Sequence, residues 1–261
     1  MNILQLKKMK HNKDKITMVT CYDFCMANIL KNTNIDCILV GDSGAMIMHG
    51  CENTIPADMQ MMIAHTRAVA NAKPSQLIIA DMPFMSYCID SATTMRNAQA
   101  LMQAGAHAIK LEGVDGHEEV IAHLVKSGVP VMGHLGLTPQ ALHQLGGYKI
   151  QGRDDHTAQQ ILTQAQTLEK LGCFAVVLEC VPQVIAQNIT ENIGIPTIGI
   201  GAGVFTDGQV LVMHDMLGLQ TELKPKFVKT YLDGAAVFNQ ALNQFVSDVK
   251  TSEFPAKEHS Y

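Results

Sequence analysis

The chain has 261 residues, 47% of them hydrophobic and 16% charged, with a formal net charge of −5. That size and apolar content can bury a large core, and one α/β barrel fits the length. The negative balance and scattered lysines give no footprint for nucleic acid and no polybasic patch for a membrane surface, and no apolar run approaches the ~20 residues that span a bilayer.

The opening Met1-Asn2-Ile3-Leu4-Gln5 lacks signal-peptide organisation, and residues 1–10 read as a short leading helix. Short apolar runs then alternate with segments of helical period. The runs cover 17–21, 37–41, 77–80, 108–111, 130–133, 175–178, 197–200 and 210–213. They are rich in Val and Ile and lack period-two alternation, as expected of strands buried on both faces of a parallel sheet. Between them, Met59, Met62, Ile63, Thr66, Val69 and Ala70 share one helical face. So do Met95, Ala98, Leu101 and Met102, and again Ile161, Leu162, Ala165, Leu168 and Leu171. Such stripes are helix-to-sheet packing. Gly105 and Gly172 stand where a helix-ending glycine belongs. The tail from 227 to 249 reads as one or two further helices.

Eight strand–helix units of roughly 30 residues predict a closed (β/α)8 barrel, with a doubly wound open sheet as the alternative. No Pro/Ser-rich linker interrupts the chain, so one domain is expected over 1–261. The seven cysteines, at 21, 25, 37, 51, 88, 173 and 180, are odd in number and form no CxxC pair. They read as reduced thiols of a cytoplasmic protein.

The informative feature is what ends each strand. Asp23 follows the first, Asp42 the second, Asp81 the third, Glu112 the fourth, His134 the fifth and Glu179 the sixth. In a barrel these ends meet at one face, where active sites are built. Buried carboxylates need a counter-charge, from a metal ion, from Lys110, or from both. Oxygen donors from Asp42, Asp81 and Glu112 suit Mg²⁺, with Mn²⁺ as the alternative; zinc would want grouped His or Cys. Taken singly, any one acid is as readily a helix cap or a lysine partner. The recurrence at equivalent positions favours a shared site.

Weaker motifs stay open. Gly199-Ile200-Gly201-Ala202-Gly203 reads as a tight turn ahead of an anion cradle before a helix. His134 is either a ligand-binding or a satisfied core histidine. Gly146-Gly147-Tyr148 with Gln151-Gly152-Arg153 is either a lid or a surface turn.

Several runs, in fixed order from about residue 17 to about residue 230, resemble the ketopantoate hydroxymethyltransferase family. They are Val40-Gly41-Asp42-Ser43, Asp81-Met82-Pro83-Phe84-Met85, Lys110-Leu111-Glu112-Gly113, Gly133-His134-Leu135-Gly136-Leu137-Thr138-Pro139-Gln140, Gly146-Gly147-Tyr148-Lys149, Leu178-Glu179-Cys180-Val181-Pro182, Gly199-Ile200-Gly201-Ala202-Gly203 and Asp207-Gly208-Gln209. The resemblance implies a (β/α)8 TIM barrel of the phosphoenolpyruvate/pyruvate superfamily type with extra terminal helices. It implies hydroxymethyl transfer from methylene-tetrahydrofolate to 3-methyl-2-oxobutanoate (α-ketoisovalerate), giving ketopantoate through a magnesium-stabilised enolate in pantothenate and coenzyme A biosynthesis. By residue, it implies one Mg²⁺ on Asp42, Asp81 and Glu112 (the last through a water), keto-acid contacts from Asp42, Ser43, Asp81 and Lys110, and Glu179 as the catalytic base. It also implies a ring-shaped homo-oligomer, commonly a decamer, acting on small-molecule substrates. It assigns no folate contacts. The chain departs from the family pattern at Gly44-Ala45-Met46 and Cys51-Glu52-Asn53-Thr54. Two alternatives are a magnesium-dependent C–C lyase of the same superfamily and a non-catalytic ligand-binding ring of the same fold. The lyase reading expects a reactive cysteine in a Lys-Lys-Cys-Gly-His-type run, which is absent from this sequence.

Overall fold

The computed structural model describes residues 1–221 and 225–261. The chain groups into two compact units, Met1–Val212 and Met213–Tyr261. The first unit runs α1 (Ile3–Asn12), β1 (Ile16–Thr20), α2 (Phe24–Leu30), β2 (Cys37–Val40), α3 (Gly44–His49), α4 (Met59–Asn71), β3 (Leu77–Asp81), α5 (Ser91–Gln103), β4 (Ala108–Glu112), α6 (Glu118–Lys126) and β5 (Val131–Gly136). It continues through a 3-10 turn (Pro139–Ala141), α7 (Leu142–Leu145), α8 (Asp155–Lys170), β6 (Ala175–Glu179), α9 (Gln183–Asn192), β7 (Thr197–Ile200) and β8 (Gly208–Leu211). The second unit holds α10 (Met213–Met216), α11 (Gly234–Lys250) and a short 3-10 turn (Lys257–His259).

All eight strands are parallel, pair in chain order, and close with β8 on β1. The unbroken apolar runs explain this: β2, β3 and β4 are buried at every position, which only a sheet covered on both faces allows. Inside the barrel, Ile16, Met18, Leu39, Ile79, Met132 and Val177 belong to one core cluster. Leu6 of α1, fully buried, joins it. Burying one such leucine stabilises the fold by about 1.5–3 kcal/mol. Lys10 fixes the helix there, 2.7 Å from Asp207 Oδ2 at the start of β8 and 2.9 Å from the Thr190 carbonyl. The leading helix therefore plugs the N-terminal end of the barrel and leaves the other end for chemistry.

Two strands differ by more than one residue from their sequence reading. β5 runs on to Gly136, and β8 begins at Gly208 rather than 210. Both hinge on glycine, which carries no strand signal. A Cβ on Gly208 would lie 2.5 Å from the Ile16 carbonyl, and one on Gly133 would lie 2.4 Å from Leu168 Cδ1. These glycines are where the backbone must come close to a neighbour. The run from Gly199 to Gly203 passes from β7 to β8 with no helix after it. It turns on Gly201 and Gly203 at φ +63° and +80°, so the turn reading holds and no helix N-terminus cradles an anion there. Gly44–His49, inside the segment that departs from the family pattern, forms α3.

Candidate active site

Two kinds of acid bear on the reading of the strand ends. Asp23, Asp58, Asp90 and Asp154 each sit one residue before a helix and accept a backbone N–H three residues on, from Met26, Met61, Thr93 and Thr157. This is local capping, each contact contributing about 1 kcal/mol. Asp23 therefore leaves the group of strand-end acids: it caps α2. The second kind is held by distant partners. Asp81, Glu112 and Glu179 are the last residues of β3, β4 and β6, and Asp42 lies two residues past β2. The parallel register sets Asp81 beside Lys110, Glu112 beside His134, and Gly136 beside Glu179.

Asp42, Asp81, Lys110, Glu112 and His134 are each between 2% and 5% exposed. Asp42 donates its backbone N–H to Asp81 Oδ2 at 3.0 Å. Lys110 Nζ lies 3.0 Å from Asp81 Oδ1 and 3.1 Å from His134 Nδ1. His134 Nδ1 is also 3.3 Å from Glu112 Oε1, and its Nε2 is 3.2 Å from Glu179 Oε2. Gln140 binds the group from the other side. Its side-chain amide donates to Asp42 Oδ2 at 2.8 Å and to the Met82 carbonyl at 2.9 Å, and its backbone N–H donates to Glu112 Oε2 at 2.9 Å. Tyr87 fixes Gln140, donating to its Oε1 and to the Glu112 carbonyl, both at 3.0 Å. Ser43 Oγ pairs with Tyr22 Oη at 2.8 Å. The structure thus links Asp42, Asp81, Lys110, Glu112 and Glu179 in one contiguous network, with Ser43 next to Asp42 in the chain. Gln140, His134, Tyr22 and Tyr87 complete the setting. Gln140 carried one sequence signal: Thr138-Pro139 marks a helical start, where backbone N–H groups lack partners.

Burial dominates the electrostatics. It raises the Asp42 carboxyl well above the usual carboxylate range, with Asp81 and Glu112 adding to the rise and Lys110 opposing it. Burial also raises Asp81, against the pull of Lys110. Glu112 has the same burial cost, but His134 and Lys110 outweigh it and hold the group low. At His134, burial and then Lys110 push the imidazole down, while Glu112 and the contact to Glu179 raise it to about 9. A protonated His134 donates to Glu112 and Glu179 and leaves Lys110 to Asp81.

A group whose folded pKa is raised contributes stability below its unfolded pKa and loses it as pH climbs through the folded one. His134, Asp42 and Asp81 all carry that sign. Glu112 has the opposite sign and acts at acid pH. EDTA-treated protein is therefore expected to lose thermal stability between pH 6.5 and 9, by roughly 3 kcal/mol from His134 alone. Mg²⁺ should restore more of it at pH 9 than at pH 6.5. A melting temperature flat across that range would refute this.

The donor chemistry fits a hard divalent cation. Three buried carboxylates crowd two cationic side chains, and the burden on Asp42 comes partly from its two acidic neighbours. Among the described residues no three His, Cys, Asp or Glu side chains form a ready-made metal cage. Mg²⁺ does not need one, because it is commonly held by one or two carboxylates with substrate and water.

Gly136 protects the geometry of Glu179. It sits at φ +89°, and a Cβ there would lie 2.3 Å from the Glu179 carbonyl. Gly136→Ala is expected to cost about 1–3 kcal/mol in backbone strain and to lower turnover at least tenfold by displacing β6. Melting and steady-state rates measured together check both effects.

Fold and site together define a (β/α)8-barrel enzyme with its polar machinery at the C-terminal mouth of the barrel. A family model described as ketopantoate hydroxymethyltransferase matches residues 1–257, and the chain belongs to that family. A 3-methyl-2-oxobutanoate hydroxymethyltransferase of Legionella pneumophila is 54% identical over 262 residues, covering all of both chains. Another, from Francisella tularensis subsp. tularensis, is 53% identical over 260 residues, covering 100% of this chain and 98% of the relative. Among solved structures, 2,3-dimethylmalate lyase, a member of the PEP mutase/isocitrate lyase superfamily, shares the fold with a TM-score of 0.64 at 16% identity. That match covers 94% of this chain and 87% of the lyase.

Proposed function

We propose that the enzyme transfers a hydroxymethyl unit from methylene-tetrahydrofolate to 3-methyl-2-oxobutanoate, giving ketopantoate, with Glu179 as the base that removes the proton beside the ketone. The observation that supports this most is the pairing of two unlike zones in one buried network. Asp42, Asp81 and Lys110 form a charged floor. Among the described residues, Glu179, on β6, is joined to that floor through His134. A keto acid lying on the floor would present its far carbon to a carboxylate from another strand.

Magnesium held by Asp42 and Asp81, with Glu112 through a water, would supply the positive charge that makes such a carbon acidic enough to ionise. The other work falls to side chains. Lys110 pairs with the substrate carboxylate, replacing part of its contact with Asp81. Ser43, oriented by the Tyr22 hydroxyl, donates to the keto acid. Glu179 takes the proton, a step that contributes roughly 10²–10⁴-fold when the base is well placed. His134 donates to Glu179 Oε2 beforehand and keeps it aimed. The methylene bridge of the folate opens at one nitrogen to an iminium on the other. Water then releases its carbon as formaldehyde and leaves tetrahydrofolate. The substrate carbon freed of its proton adds to that formaldehyde, whose oxygen takes up a proton as the new alcohol. We also propose that copies assemble: α11 carries Val237, Phe238, Leu242 and Phe245 between 52% and 62% exposed, an apolar stripe suited to burial between subunits.

Purified protein supplied with both substrates and Mg²⁺ should form ketopantoate and free tetrahydrofolate in equal amounts, and excess EDTA should stop it. Binding of the keto acid without product, under metal-replete conditions, would instead favour the non-catalytic ring.

A further inference from the structure

Beside the acid network a cavity of about 590 Å³ opens, lined mainly by residues of the loops after β3, β4 and β5, with Ile55 and Gln164. Glu112 and Gln140 form part of its wall, so it adjoins the floor where Gln140 holds Asp42. Pockets of roughly 300–1,000 Å³ take ligands of drug size, and a five-carbon keto acid fills only a fraction of this one. Phe84 and Met85 line it and stand 42% and 45% exposed. Met85 is held at φ +62°, a conformation that a residue other than glycine keeps only where its surroundings impose it. Tyr87 lies between this apolar wall and the acids, its ring edge-to-face with His117 at 5.2 Å. Asp115 is the acid on the rim, with His117, His143 and Gln144 among the other polar side chains of the lining. Asp115 Oδ2 accepts from Gln164 at 2.7 Å, and among the described residues Oδ1 has no hydrogen-bond partner.

These features ask for a flat ring system with apolar faces and two neighbouring N–H donors on one edge. A carboxylate matches such a donor pair as it matches guanidinium, two parallel bonds at once, and Phe84 with the Met85 thioether suits the ring faces. A pterin has that edge in its amino group and adjacent ring N–H. We propose that this cavity takes the reduced pterin of the one-carbon donor, with Asp115 accepting from its amino–amide edge and Phe84 and Met85 against its face. The placement rests on the transferase reading above and gives the co-substrate a site on the β4–β5 side of the mouth.

Tetrahydrofolate carries no one-carbon unit and cannot turn over, so its binding isolates the site. It would be titrated by calorimetry into full-length protein with 3-methyl-2-oxobutanoate and Mg²⁺ present. Asp115→Asn and Phe84→Ala should each weaken it by about tenfold or more, the scale of a lost charged hydrogen bond. The KM for methylene-tetrahydrofolate should rise in step, and kcat at saturating folate should change far less. Glu118→Gln lies in the neighbouring groove that shares Asp115 and should bind tetrahydrofolate like wild type. Wild-type affinity in both pocket variants, or a loss in Glu118→Gln without one in Phe84→Ala, places the pterin elsewhere and overturns the proposal. Proton exchange on the keto acid by wild-type protein without folate reports on the transferase reading separately. Its absence beside Asp115-dependent folate binding counts against that reading and leaves the pocket standing.

Discussion

Replacing Glu179 by glutamine is expected to lower turnover by about 10²–10⁴-fold while leaving keto-acid binding close to wild type. Gln keeps the shape and an acceptor oxygen for His134 Nε2, which lies 3.2 Å from the present carboxylate, so the fold and the aim of the side chain persist. Only the capacity to take a proton is lost. Because Glu179 stands outside the Asp42–Asp81–Lys110 floor, the affinity for Mg²⁺ should also stay within a few-fold. A rate fall confined to kcat, with KM and metal affinity held, is the signature of a base. A parallel loss of metal affinity would instead place Glu179 among the ligands.

Lys110→Met should act through stability first. Lys110 is the fixed cation among three buried acids, 3.0 Å from Asp81. Removing one member of a buried pair leaves the other charge uncompensated and costs about 3–5 kcal/mol. In EDTA-treated protein that loss should appear in full by chemical denaturation. Saturating Mg²⁺ should recover part of it, since a divalent ion at Asp42 and Asp81 compensates the same charge. Turnover should stay low even in the refolded, metal-loaded variant, because the substrate carboxylate has lost its partner. Lys110→Arg should not rescue it: a planar guanidinium does not fit the place of a compact ammonium. Equal stability of wild type and Lys110→Met without metal would show that the acids are neutralised in another way.

How much of this could be read beforehand depends on where each contact runs. The strands were legible because Val/Ile runs without alternation leave few other structures for a chain of this length. The acids Asp81, Glu112 and Glu179 were legible because strand ends converge in a barrel. Asp23 and Asp42 look alike in sequence, each an acid just past a strand. What separates them is contact range. Asp23 bonds three residues away, whereas Asp42 reaches Asp81 and Gln140, 39 and 98 residues along the chain. Such partners appear only once the barrel has closed. The start of β8 and the extent of β5 were missed for a related reason. Gly208 and Gly133 are chosen for what they approach, Ile16 and Leu168, and a glycine records nothing of its neighbour. The cavity wall was unreadable because Asp115 comes from a different loop than Phe84 and Met85.

The most direct test follows the proton beside the ketone. Wild-type protein would be incubated with 3-methyl-2-oxobutanoate in D2O, first with Mg²⁺ and then with excess EDTA, and that proton followed by NMR. The arrangement of Glu179 across from the Asp42–Asp81–Lys110 floor predicts exchange with the metal and none after chelation. A well-folded, metal-loaded enzyme that leaves the proton in place, with tetrahydrofolate added as well, would contradict it.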